Sequence, residues 1–174
     1  RTQLAASPRA QEMTQEQIDA AVRIGGYTAY VGAVVGSPIA ILATAAVFLL
    51  VLSIAGAGVT FRKIFSVTNH TFFFYTVVGS ILTLLVLVLA ENPEELDIQN
   101  LVASNLGPLV NRTDSPTLFT LLSSIDILSL YHVFLLALGL STVAKKRLSS
   151  GIVYAGLVWV VYVGVKVGWT AIMS

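Results

Sequence analysis

The 174-residue chain contains no cysteine, and only 11% of its residues are charged. The first absence rules out disulfides and thiolate metal sites. The second excludes an ordinary soluble domain, in which about a quarter of residues carry charge. Histidine is scarce as well: His70 and His132 are the two present, and a metal site needs convergent ligands rather than two distant ones. Gly56 and Gly58 lack the third glycine of a dinucleotide loop, and neither a Walker lysine motif nor a Gly-x-Ser-x-Gly elbow occurs. Catalysis has no visible carrier, so the chain reads as non-enzymatic and without cofactor or metal. A net charge of +1 gives no electrostatic footprint for nucleic acid.

What is plentiful is apolar surface. Hydrophobic residues make up 56% of the chain and the mean hydropathy is +0.84. Uncharged runs cover 24–61, 64–90, 127–144 and 148–165, against a requirement of roughly 20 apolar residues for a helix to cross a bilayer. The fold class expected is therefore all-α: a polytopic membrane helix bundle forming one domain over 1–174, with spans at about 38–59, 72–90, 124–143 and 151–172. Ahead of them, Thr14 and Gln17 have capping-box spacing, and Met13 and Ile18 suit a hydrophobic staple. A short amphipathic helix should start there, with Asp19 and Arg23 spaced i,i+4. It either lies along the membrane surface or leads directly into the first span.

Between the second and third spans lies an acidic insert, 91–116, holding Glu91, Glu94, Glu95, Asp97 and Asp114 against one base, Arg112. Lys and Arg favour the cytoplasmic side of a membrane. The two basic turns, Arg62-Lys63 and Lys145-Lys146-Arg147, are separated by two spans, as they must be if both face inward. The acidic loop and the C-terminus are then outside, and so is the N-terminal segment, despite Arg1, Arg9 and Arg23. Leu96, Leu101 and Val102 recur between polar residues of the insert, which predicts a short helix returning to the membrane surface. Glu94, Glu95 and Asp97 are hard donors, but they lack the spacing and central glycine of a calcium loop.

Read together, "NPEELDIQNLVASNLGPLV", "LFTLLSSIDILSLYHVFLLALGLSTVAKKRLSSG" and "VYAGLVWVVYVGVKVGW" resemble the bacterial branch of the Yip-domain family of multispan membrane proteins, named for Ypt/Rab interaction. The resemblance runs from about Thr14 to the C-terminus and is strongest after Glu91. It rests on Asn105-Leu106-Gly107, on Asp126 where the third span begins, on "LALGLS" at 136–141, on the basic turn 145–147, and on Trp159 with Tyr162. It implies a protein of a bacterial inner (cytoplasmic) membrane with undefined activity. It also implies a fifth helix upstream of Arg1, which would carry the N-terminal segment to the outer side.

Asp126 and Lys166 are the ionised groups of the third and fourth spans, and charge at that depth is expensive enough to need a role. They stand equally far from Lys146, so a hairpin folded there brings them to one level. The first expectation is a structural ion pair; transport or proton relay, or a lysine snorkelling to the interface, are the alternatives. Gly32 with Gly36, and Gly164 with Gly168, have the spacing that lets membrane helices approach closely. Asn69 and Asn111 begin accidental matches to glycosylation acceptors. The function expected is a non-enzymatic scaffold or accessory subunit of a membrane complex, in contact with lipids and with protein partners of unknown identity. A small transporter or channel component is the alternative, and a broken helix within the bilayer would favour it.

Overall fold

In the computed structural model, which describes residues 14–90 and 104–173, every regular element among the described residues is a helix. The chain falls into two compact units, one ending at Leu42 and one beginning at Ala43.

The first unit starts with the expected capping box. The Thr14 amide donates to Gln17 Oε1 at 2.9 Å and the Gln17 amide donates to Thr14 Oγ1 at 3.4 Å. Helix α1, Gln15–Val31, does not end before the first span as a short separate helix would. It passes through a π-helical turn, Gly32–Gly36, into α2, Ser37–Ile54, with Val31 and Ser37 both holding helical backbone angles. Pro38 accounts for the turn. Its ring would crowd the Val34 carbonyl and it supplies no amide to bond it, so a locally wider turn carries the proline inside the helix. Met13, the partner expected for Ile18, lies outside the described residues.

Helix α2 stops at Ile54 rather than at the expected 59. Gly56 takes a left-handed conformation (φ +69°) and lets the Ala57 amide reach back to the Leu52 carbonyl at 2.9 Å, a glycine-terminated helix end. Helix α3, Phe61–Leu89, begins well before the expected residue 72. Nothing from 61 to 71 is a glycine or proline, and Ile64, Thr68 and Thr71 form one buried face. Arg62 and Lys63 are thus in the first turn of α3 and not in a turn between spans.

Helix α5, Ile127–Ala144, and helix α6, Leu148–Met173, form the expected hairpin about the basic turn. Lys145 adopts the left-handed conformation (φ 52°, ψ 41°) and the Lys146 amide closes on the Ser141 carbonyl at 2.9 Å. A short further helix, α4, Pro116–Ser124, precedes α5. The hairpin backbones nearly touch: a Cβ built on Gly151 would collide with the Ala137 carbonyl oxygen, and one on Gly139 with the Val67 side chain. With Gly139 opposite Val67, and His132 against Phe72 and Tyr75, α3 and α5 run antiparallel. Arg62-Lys63 and Lys145-Lys146-Arg147 therefore lie at the same end of this unit.

The core sits toward that end. Phe48, Leu52, Ile64, Ala137, Leu140 and Ala155 are almost wholly buried there. Buried hydroxyls are satisfied within their own helices: Thr68 donates to the Ile64 carbonyl, Thr71 to Thr68 and Ser141 to Leu138, the usual recourse of Ser and Thr in a helix. Outside the core, large apolar side chains are left open, Ile54 at 80% and Ile172 at 82% exposure. In water each would forgo about 1.5–3 kcal/mol of burial. Four helical stretches, Val34–Ile54, Phe61–Leu89, Ile127–Ala144 and Leu148–Met173, are long and apolar enough to cross a membrane, and lipid accounts for their exposed faces.

Gly151→Ala should lower stability by about 1–3 kcal/mol, the scale of overpacking a tight contact, although alanine is the better helix former. Gly164→Ala, where nothing lies within 4 Å of a built Cβ, should be neutral or gain up to about 1 kcal/mol. Denaturation in mixed micelles, followed by circular dichroism, separates the two; equal effects would refute the close hairpin contact.

Candidate functional site

The helix expected from 124 onward is interrupted. Helix α4 ends at Ser124, Ile125 (φ −88°, ψ 84°) and Asp126 (φ −124°, ψ 137°) are non-helical, and α5 begins at Ile127. Both pieces lie along α6. Thr120 Oγ1 donates to Thr170 Oγ1 at 3.3 Å, Lys166 Nζ donates to Ser124 Oγ at 3.3 Å, and Ala137 meets Gly151. Partners rise in number on α6 as they fall on α4 and α5. The two pieces therefore follow one antiparallel course beside α6, with a break of two residues between them.

A break in an apolar setting leaves backbone donors and acceptors that must find partners. Asp126 supplies one as the N-cap of α5: its Oδ2 accepts from the Ser129 amide at 3.0 Å and from Ser129 Oγ at 3.1 Å. The segment just after the acidic insert supplies the rest. The Ile127 amide donates to the Ser104 carbonyl at 3.2 Å, Ser104 Oγ donates to Asp126 Oδ1, and an isolated antiparallel bridge pairs Asn105 with Asp126. Asn105 Oδ1 in turn accepts from the Gly107 amide at 2.9 Å, which sets up the 3-10 turn Gly107–Leu109.

Beside the break is a cleft of about 810 Å³. The break, with Ser104 and Ser124, forms one wall. Thr76, Ser80 and Thr83 of α3 form another, and Trp159, Tyr162 and Lys166 of α6 the third. Asp126 and Lys166 both line it, so their predicted common level holds. The direct ion pair does not form: Lys166 bonds Ser124 Oγ, and the Asp126 carboxylate bonds Ser104 and Ser129. The reason is the break itself. In an unbroken helix from 124, Asp126 would project as a first-turn side chain; at the break it is drawn onto the α5 amides, and Lys166 meets the end of α4 instead.

The other residues singled out in the sequence fall elsewhere. Gly32, Gly36, Gly164 and Gly168 have no atom within 4 Å of a built Cβ, so none marks a helix contact among the described residues. Arg62, Lys63, Lys145, Lys146 and Arg147 are exposed at one end of the second unit. His70 Nδ1 donates to the Ser66 carbonyl at 2.7 Å. His132 Nε2 is buried without a hydrogen-bond partner, its ring stacked on Tyr75 at 4.9 Å and edge-on to Phe72 at 4.8 Å. Asn111 Oδ1 accepts from the Thr113 amide and serves a turn. Glu94, Glu95, Asp97, Leu96, Leu101 and Val102 lie outside the described residues. Among the described residues no group of three or more His, Asp or Glu side chains converges on a metal-sized space.

Sequence reasoning missed the hydroxyl wall of the cleft. The signal was present: Thr76, Ser80 and Thr83 recur at i, i+4 and i+7, a polar stripe down an otherwise apolar helix. Comparison with protein-family models, with characterised proteins and with solved structures returns no match for this chain.

If Asp126 acts chiefly as a cap, Asp126→Ala should cost about 1–2 kcal/mol of stability. Asp126→Asn keeps an acceptor at the same place and should cost roughly half as much or less. Chemical denaturation of the two variants checks this, and an equal loss in both would show that the charge, and not the cap, holds the break.

Proposed function

We propose that this chain is a Yip-like scaffold or accessory subunit, without enzymatic activity, in a bacterial cytoplasmic membrane, and that it acts by packing against other membrane proteins. The observation that carries the reading is the helical face around the π turn. Gly25, Gly32 and Gly36 follow one side of the helix, beside exposed Thr28, with no other described residue within 4 Å of a Cβ built on them. In hydrocarbon, helices associate through close backbone approach at small residues rather than through hydrophobic burial, and this face offers that approach. Of the residues that carry the family resemblance, Asp126 caps α5, 136–141 packs in the hairpin, 145–147 turns it, and Trp159 and Tyr162 line the cleft. The common end of the two basic clusters supports placing that end in the cytoplasm, with the 91–116 loop and the C-terminus outside.

A second reading, a small transporter or channel component, gains from the break at Ile125–Asp126 and from the two charged side chains in the cleft beside it. Discontinuous helices beside ionisable groups are how such proteins build substrate sites.

One experiment separates the two. A photo-crosslinking side chain at position 28, activated in native membranes, should give a discrete protein adduct, and Gly32→Leu with Gly36→Leu should abolish it while a probe at position 157 is unaffected. Lipid adducts alone at position 28 would refute the scaffold reading and leave transport as the better account.

A further inference from the structure

We propose that the cleft at the Asp126 break binds a phosphoethanolamine group, a phosphodiester linked to a primary ammonium, carried either by a membrane lipid or by a soluble glycerophosphodiester. The proposal goes beyond the scaffold reading and does not rest on it, since it needs the bundle alone and no partner.

The charges come first. Among the described residues, one cation, Lys166, and one anion, Asp126, line the same cleft without pairing. Lys166 Nζ has one acceptor, Ser124 Oγ, whose own hydrogen is committed to the Thr120 carbonyl at 2.7 Å. An ammonium has three donors, so two remain for a ligand. On Asp126, Oδ2 takes the Ser129 amide and hydroxyl while Oδ1 takes Ser104 Oγ. A carboxylate offers about four acceptor sites, which leaves one on Oδ1. A lone anion drawn to Lys166 would be set against Asp126, and a lone cation drawn to Asp126 would be set against Lys166. Among apolar helices, where the effective dielectric is well below that of water, that repulsion is costly. A ligand with both charges satisfies both groups.

The walls fit the same chemistry. Thr76, Ser80 and Thr83 give hydroxyls along α3 that make no hydrogen bond to another described residue, available to phosphate or ester oxygens. Trp159, Tyr162 and Tyr75 supply the amphipathic rings typical of the headgroup level. Leu84 and Leu128 also line the cleft and offer apolar surface beside the polar groups. The cleft volume of about 810 Å³ falls within the usual ligand-pocket range. A primary ammonium is specified over a quaternary one because the free Oδ1 site needs an N–H to accept.

The test is isothermal titration of the full chain in maltoside micelles with dihexanoyl-phosphatidylethanolamine, with the phosphatidylglycerol and phosphatidylcholine counterparts in parallel. Ethanolamine lipid should bind about tenfold tighter than either, the worth of one charge-assisted hydrogen bond. Asp126→Asn should remove that preference, whereas Lys166→Met, which takes away the partner of the phosphate common to all three, should weaken the three lipids to a similar degree. Both variants should fold, since Lys166 is exposed and asparagine caps helices well; circular dichroism confirms it. Equal affinity for the three headgroups, a preference that survives Asp126→Asn, or affinities unchanged by Lys166→Met overturns the proposal. Glycerophosphoethanolamine identifies the source: competition at concentrations comparable to the lipid assigns the site to a soluble zwitterion, and failure to compete assigns it to the lipid.

Discussion

A helix interrupted in apolar surroundings is tolerable only if the backbone groups it releases are bonded again. The second unit of this chain is organised around one such interruption, at Ile125 and Asp126. Three features of the sequence meet there. Asp126 turns its carboxylate onto the start of α5, Ser104 offers both its carbonyl and its hydroxyl, and Asn105 pairs with Asp126 through the backbone. The segment after the acidic insert is thereby tied to the beginning of the hairpin. An unsatisfied buried amide or carbonyl costs about 1–3 kcal/mol, so the tie contributes to stability as well as to shape.

The uninterrupted α6 makes the break affordable in packing. It runs past both α4 and α5, so the two pieces keep their alignment through contacts with a single rigid neighbour. Those contacts change character along its length: backbone against backbone at Gly151, ammonium against hydroxyl at Lys166, hydroxyl against hydroxyl at Thr170. Close packing at one end holds the hairpin. At the other the pieces are joined by polar contacts, and space remains for a cleft with charges of both signs.

Much of this was legible in the residues. The four apolar runs, the Thr14–Gln17 cap, the basic turn and the common level of Asp126 and Lys166 all follow from composition, spacing and numbering. The rest was open or hidden, for physical reasons. The start of α3 was misplaced because Arg62 and Lys63 are poor candidates for hydrocarbon but good helix formers, so the helix and the apolar span need not coincide. The fusion of α1 with α2 stood as one of two alternatives, since Pro38 reads as a start signal and sits inside a helix here through a widened turn. The break itself falls in "SSIDI", which contains neither glycine nor proline; it depends on Ser104 and Asn105, distant in sequence, to make the non-helical backbone acceptable. The rotation of α6, which sends Lys166 to Ser124, is likewise a property of packing and cannot be read from periodicity.

The account stands on the capped break, and amide hydrogen exchange tests it most directly. In lipid bicelles the Ile127 and Ser129 amides, bonded to the Ser104 carbonyl and to the Asp126 carboxylate, should exchange far more slowly than free peptide, within about a hundredfold of Leu136 in the middle of α5, a gap of under ~3 kcal/mol in local opening. Exchange of Ile127 and Ser129 at free-peptide rates while Leu136 stays protected would mean that the break is not clamped, and would contradict the account.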